Sequence, residues 1–166
     1  MATIGHKPAA LDCALCAPVL HPEIAMSGMT AETFNELTRR ELPLAVQAGC
    51  HAETIGDGTA RVRLPFKPDL TRPGGTISGP AMMALTDYGM YAALLGTIGE
   101  VALAVTTNLN INFLRKPEPV DMIADCKVLK LGRRLAVIEV TIYSEGLDDP
   151  IAHATGTYSI PPDTVT

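Results

Sequence analysis

The stretch from Arg72 to Gly96, RPGGTISGPAMMALTDYGMYAALLG, limits the possible folds of this chain more than any other segment. A glycine-rich loop opens onto a helical pattern, and Asp87 is the one charged residue between Arg72 and Glu100. Ala81, Met82, Met83, Leu85, Met90, Ala93, Leu94 and Leu95 make that helix apolar on nearly every side, which predicts a place in the middle of a core. An ionised carboxylate without partners is costly there. Asp87 therefore needs either a structural hydrogen-bond network or a chemical role.

A chain of 166 residues suits one compact core. Charged residues are 19% and the net charge is -5, so the basic stripe needed to bind a phosphate backbone is missing and nucleic acid is not expected as a partner. No apolar run follows a basic N-terminus, and Thr, Asp and Gly break the apolar segments short of a membrane span. The expectation is a cytoplasmic protein without a membrane partner. Cys13, Cys16, Cys50 and Cys126 are too few and too scattered for a disulfide framework. Cys13 and Cys16 form a CxxC flanked by His6 and His21, a set able to offer four tetrahedral ligands to zinc. A lone CxxC without a second spaced pair is read as incidental, and no metal is expected. Pro8, Pro18 and Pro22 without periodicity mark residues 1–28 as a flexible or loosely docked extension. A domain over 29–161 and a tail over 162–166 follow.

Regular patterning begins at Thr30, a candidate N-cap with Glu32 behind it. It leads through Phe34, Leu37 and Leu42 to an interruption at Pro43, so this is one amphipathic helix or a kinked pair. Cys50 to Ile55 and Ala60 to Leu64 read as a β-hairpin around Gly56-Asp57-Gly58. Pro65 to Gly75 reads as an exposed connection, and the central helix runs from about Gly79 to Leu95. Pro80 is in its first turn, with Ser78 or Gly79 as the cap. Beyond Gly99, Val105, Thr107, Leu109, Ile111 and Phe113 alternate with Thr106, Asn108, Asn110 and Asn112 as an apolar and a polar stripe. Strands over Val120 to Leu131, Leu135 to Tyr143 and Ile151 to Ile160 follow. About six strands, four of them consecutive after one long apolar helix, predict an α+β fold, an antiparallel sheet wrapped around a buried helix.

In these residues the chain resembles the hotdog-fold acyl-CoA thioesterases, in particular the branch typified by the phenylacetate-degradation enzymes, over about Thr30 to Ile160. Members of that branch open the central helix with a His-Gly-Gly turn and place Asp or Glu nine residues after the His. Ser78-Gly79-Pro80 with Asp87 occupies that frame, with Gly79 and Asp87 matching and the His and second Gly replaced. Thr106 to Pro117 is similar to the family's next strand and its Pro-containing loop, and Val128 to Arg134 to its later hairpin. The resemblance implies hydrolysis of an acyl-CoA thioester, with CoA as part of the substrate and no separate cofactor. It further implies a homodimer joined edge to edge, or a homotetramer, with active sites between subunits.

Thioester hydrolysis needs a base or nucleophile, a clamp on the carbonyl oxygen and a placed water. Asp87 suits the first role, by general base or by direct attack. The competing reading is an Asp capped by hydroxyls such as Tyr91 one turn along. Gly79 suits the second, through a backbone N–H at a helix N-terminus, and is otherwise a turn residue. The resemblance places Thr106 where the family holds the attacking water, against the plain reading of a β-favouring Thr. Ser78 stands where members carry His and serves otherwise as a cap. Arg72 stands where related enzymes carry Asn and could meet an anionic acyl group or a CoA phosphate. Arg115, Lys116, Lys130, Arg133 and Arg134 surround two turns and are candidate CoA-phosphate ligands or simply solvated side chains. Met82, Met83, Tyr88 and Tyr91 either line an acyl pocket or belong to the core. The hydratase branch of the fold pairs its Asp with a later His on the helix, and none follows Asp87 here. A non-catalytic acyl-CoA-binding or regulatory module is the alternative.

Overall fold

The computed structural model describes residues 28–162. The Cys13–Cys16 pair with His6 and His21, the rest of the expected N-terminal extension before residue 28, and residues 163–166 of the expected tail lie outside the described residues.

Thr30 caps α1 (Ala31–Glu41): its hydroxyl accepts the Thr33 N–H at 3.2 Å, and its own N–H reaches the Thr33 hydroxyl at 2.9 Å. Pro43 then opens α2 (Pro43–Ala48), which Gly49 closes in the left-handed conformation. The helix pattern is thus a kinked pair. β1 (His51–Gly56) and β2 (Thr59–Leu64) form the expected hairpin. The proline-rich segment after it is more ordered than a plain connection. It holds a 3-10 turn at Pro68–Leu70 and a two-residue hairpin of β3 (Thr71–Arg72) and β4 (Thr76–Ile77). Gly74 and Gly75, at φ 94 and 72, make that reversal possible where an L side chain would be strained.

α3 (Gly79–Ile98) is the long helix, followed by β5 (Val105–Phe113), β6 (Met122–Leu131), β7 (Leu135–Ser144) and β8 (Pro150–Ser159). It continues past Leu95 through Gly96, where the helix lies close on β1: a Cβ at that position would stand 2.5 Å from Ile55 Cγ2. Six strands form one antiparallel sheet in the order β1-β2-β6-β7-β8-β5. Short turns join β6, β7 and β8 as expected, whereas β5 crosses to the far edge beside β8. The connection 114–121, carrying Pro117 and Pro119, is longer than a hairpin turn and makes that crossing. No described helix is long and apolar enough to cross a membrane.

The sheet wraps α3 with its inward side chains. Val62, Met122, Ile138, Val140 and Ile142 meet Leu85, Met90, Leu94 and Leu95, all at 0% exposure. Burial of each large side chain of this kind contributes about 1.5–3 kcal/mol. Two glycines let the layers close: a Cβ on Gly89 would stand 2.4 Å from Cys126 Sγ, and one on Gly156 would stand 2.5 Å from Met90 Sδ. The wrap is incomplete along one stripe of α3. Pro80, Met83 and Ala84 are exposed and Asp87 is half-buried, at the i, i+3, i+4, i+7 spacing of a single helix face.

Candidate active site

Asp87 projects from that stripe into a groove of about 450 Å³ between α2, the middle of α3 and the segment entering β5. The walls are mostly apolar, with Leu42, Pro43, Leu44, Ala45, Ala84, Ala102, Ala104 and Val105 among them. Asp87, Thr106, Tyr91 and Tyr158 are gathered on one side. Glu41 is the second carboxylate of the lining. An apolar groove with a few convergent polar groups is the usual form of a small-molecule site.

Thr106 reaches this site through an irregularity in β5. Asn108, Asn110 and Asn112 pair with Thr157, Thr155 and His153 on the outer face of the sheet. Strict alternation would send Thr106 outward with them. The register shifts between Thr106 and Asn108, so Thr107 is an extra residue and Thr106 instead pairs with Tyr158 on the inner face. Its hydroxyl there donates to Asp87 Oδ1 at 2.5 Å. The single polar stripe expected in β5 is corrected by this bulge.

Tyr158, from the last strand, was not singled out from the sequence. Its hydroxyl donates to Asp87 Oδ1 at 2.9 Å and lies 3.2 Å from the Asp87 carbonyl oxygen. Burial, and then the Asp87 charge, push the Tyr158 phenol well above the ordinary tyrosine range, so it remains a donor. The parity of β8 carries the signal that points to it. Ala152, Ala154 and Gly156 are the small inward residues on which the helix packs, and Tyr158 ends that row with a polar group that needs a partner. Tyr91 lines the groove and stacks on Tyr158, ring centroids 6.1 Å apart at 22°; the hydroxyls on Asp87 are those of Thr106 and Tyr158.

Gly79, the first residue of α3, lies at the other end of the exposed stripe, about 12 Å from Asp87 along the axis at 1.5 Å per residue. A Cβ there would stand 3.4 Å from the ring of Phe113, so Gly79 sits by the end of β5 while Asp87 sits by its beginning. The Gly79 N–H has no acceptor among the described residues. Ser78 is at the N-cap position but makes no side-chain capping bond; its N–H is held by the Leu70 carbonyl at 2.9 Å. Met82 is in the core, whereas Met83 is 41% exposed on the stripe and outside the groove lining. Arg72 is exposed in the β3–β4 hairpin.

The basic residues do not form one patch in the protomer. Arg115, paired with Asp149 at 2.7 Å, and Lys116 follow the Phe113 end of β5. Arg133 and Arg134 occupy the β6–β7 turn beside Ser159 and hence the Val105 end, with Arg134 Nε donating to the Ile160 carbonyl at 3.1 Å.

The family model of the thioesterase superfamily matches residues 74–151, from the β3–β4 turn through α3 and into β8. A crystal structure from Silicibacter sp. TM1040, named as a candidate thioesterase, is 38% identical and superposes with a TM-score of 0.76 over 84% of this chain and 96% of that one. A Saccharolobus solfataricus protein named as a candidate esterase is 30% identical over 133 residues, 80% of this chain and 86% of its own length. The 1,4-dihydroxy-2-naphthoyl-CoA hydrolase of Escherichia coli is 32% identical over 94 residues, 56% of this chain and 68% of its own. With a six-stranded antiparallel sheet around a 20-residue helix, this chain belongs to the thioesterase superfamily, a family of hydrolases, and has its hotdog fold.

Proposed function

We propose that this protein hydrolyses an acyl-CoA thioester to a carboxylic acid and CoA, with Asp87 as the reacting carboxylate. The observation that carries this reading is the Asp87 side chain at the wall of an apolar groove, held through one oxygen by two hydroxyls. The groove takes the acyl group and the thioester carbonyl lies against the carboxylate. In the base route a water oxygen bonds to the carbonyl carbon while its proton passes to Asp87. The C–S bond then breaks and the CoA thiolate takes up a proton. In the direct route Asp87 itself bonds to that carbon, CoA leaves, and water cleaves the mixed anhydride. The kinship with a protein named as a CoA hydrolase supports the choice of thioester.

The carbonyl oxygen needs a donor, and the Gly79 N–H of the same protomer is too far along the helix to supply it. A second copy resolves this. β5 is an unpaired edge, and antiparallel pairing of two such edges about Leu109 sets the Phe113 end of one against the Thr106 end of the other. Gly79 of one subunit then meets Asp87 of the other, and the two exposed Met83–Ala84 stripes cover each other. On this reading Arg115 and Lys116 of one subunit approach the same mouth as Arg133 and Arg134 of the other, where CoA phosphates would lie.

The test is release of free thiol from a panel of acyl-CoAs, read for the wild type and for Asp87→Ala. Cleavage by the wild type that Asp87→Ala abolishes is the expected result. Binding of several acyl-CoAs without cleavage of any would establish the binding module instead.

A further inference from the structure

The family resemblance gives Tyr158 no role, yet its hydroxyl stands within hydrogen-bond distance of two Asp87 oxygens, where that of Thr106 meets one. The two are Oδ1 and the backbone carbonyl oxygen, and the Tyr158 ring lies against Tyr91. Thr106 donates to the same Oδ1. No described residue donates to Oδ2. The carboxylate is thus used asymmetrically, with one oxygen saturated by protein donors and the other left for chemistry.

Resting on the reading of Asp87 as the reacting carboxylate, we propose that Tyr158 is the positioning residue of this enzyme. It clamps Asp87 through Oδ1 so that Oδ2 is the oxygen that takes the water proton or attacks the thioester carbon. The geometry gives the clamp its stiffness. A carboxylate on a two-torsion side chain rotates freely unless an oxygen is tied to a second element, and Tyr158 ties it to β8, a strand paired on both sides. The phenol is 3% exposed and stacked, so its own rotamer is fixed by packing. The approach of the same hydroxyl to the Asp87 carbonyl oxygen, at 3.2 Å, adds a backbone reference beside the side-chain bond. Thr106 is more exposed and sits on the edge strand, so it completes the clamp without anchoring it.

Tyr158→Phe keeps the ring, the stack and the volume and removes only the hydroxyl. With the full chain and an acyl-CoA that the wild type cleaves, kcat is expected to fall roughly ten- to a hundredfold while KM stays within about twofold, because alignment rather than binding is lost. Tyr158→Phe combined with Thr106→Val is expected to lose less than the product of the two single losses, since both hydroxyls act on one oxygen. Wild-type kcat in Tyr158→Phe overturns the proposal, as does a loss carried by KM alone. Asp87→Asn is measured beside it. An active Asp87→Asn, or a wild type that cleaves no thioester, brings down the assignment of Asp87 itself, whereas an inactive Asp87→Asn beside a fully active Tyr158→Phe brings down the clamp alone.

Discussion

Thr106 and Tyr158 stand directly opposite each other on β5 and β8, and both hydroxyls end on Asp87 Oδ1, at 2.5 and 2.9 Å. The pairing brings together residues from the two strands and the helix that are far apart in the chain. It depends on the bulge at Thr107, without which Thr106 would face outward beside Asn108.

Thr106→Val tests the strand half of that arrangement. Valine matches the shape of threonine and favours a strand, so the fold is expected to hold within about 0.5 kcal/mol at this exposed position. The lost donor is expected to lower kcat by roughly three- to tenfold, less than Tyr158→Phe does, because Thr106 completes the clamp without anchoring it. Steady-state kinetics beside a urea unfolding curve separate the two effects, and unchanged kcat would show that the bond to Asp87 is catalytically idle.

The difference between Asp87 and its two partners shows what a sequence of this kind reveals. Asp87 stands out because it is the one charge in a long apolar helix, and burial makes such a charge improbable without a purpose. The helix and the β6–β8 meander are equally legible, through unbroken apolar character and period-2 alternation. The placement of β5 beside β8 is a long-range choice that no local pattern encodes. The bulge at Thr107 has no glycine to announce it, so simple alternation puts Thr106 on the wrong face. Tyr158 lies 71 residues from Asp87 and reads as an ordinary strand aromatic until the register shows which face it shares.

Gly89 tests the closeness of the helix to the sheet. Alanine there gains about 1 kcal/mol of helix propensity, but its Cβ would stand 2.4 Å from Cys126 Sγ and 3.0 Å from Val62 Cγ2, both in the core. Overpacking costs about 1–3 kcal/mol, so Gly89→Ala is expected to destabilise on balance. Adding Cys126→Ala removes the nearer atom, and the double variant is expected to lose less than the sum of the two single losses. Denaturant midpoints decide it; a more stable Gly89→Ala would mean that helix and sheet are not in close contact there.

Stability should fall in acid through two carboxylates on the outer face. The Arg63 guanidinium, donating to Glu53 at 2.5 Å, holds that carboxyl below its usual range. The Phe66 N–H at 2.8 Å, and then Arg63, do the same for Asp121. A carboxyl whose pKa is depressed on folding adds stability that is fully present above its unfolded pKa, about 4.3 for Glu and 3.9 for Asp, and is lost as pH falls through the folded value. Tm is expected to be level above about pH 5 and to drop below it. Glu53→Gln is expected to lower Tm at neutral pH and to flatten the acid limb, so the two curves converge in acid. Parallel curves would remove Glu53 from the account.

The proposed division of the active site between subunits can be tested by mixing two variants expected to be inactive. Asp87→Asn removes the carboxylate but keeps the Gly79 N–H. Gly79→Pro removes that N–H at a position that accepts proline, the first of a helix with Ser78 before it already extended at ψ 152, and the Cβ it adds comes into contact with the Phe113 ring at 3.4 Å. Losing an oxyanion donor costs about a hundred- to a thousandfold in kcat. If each site takes Gly79 from one subunit and Asp87 from the other, a mixed dimer rebuilds one complete site and leaves the other doubly broken. Random reassociation of equal amounts makes half the dimers mixed, so roughly a quarter of wild-type activity is expected to return. If both groups of a site came from a single chain, every mixed dimer would still hold two damaged sites, and the mixture would stay as inactive as its parts.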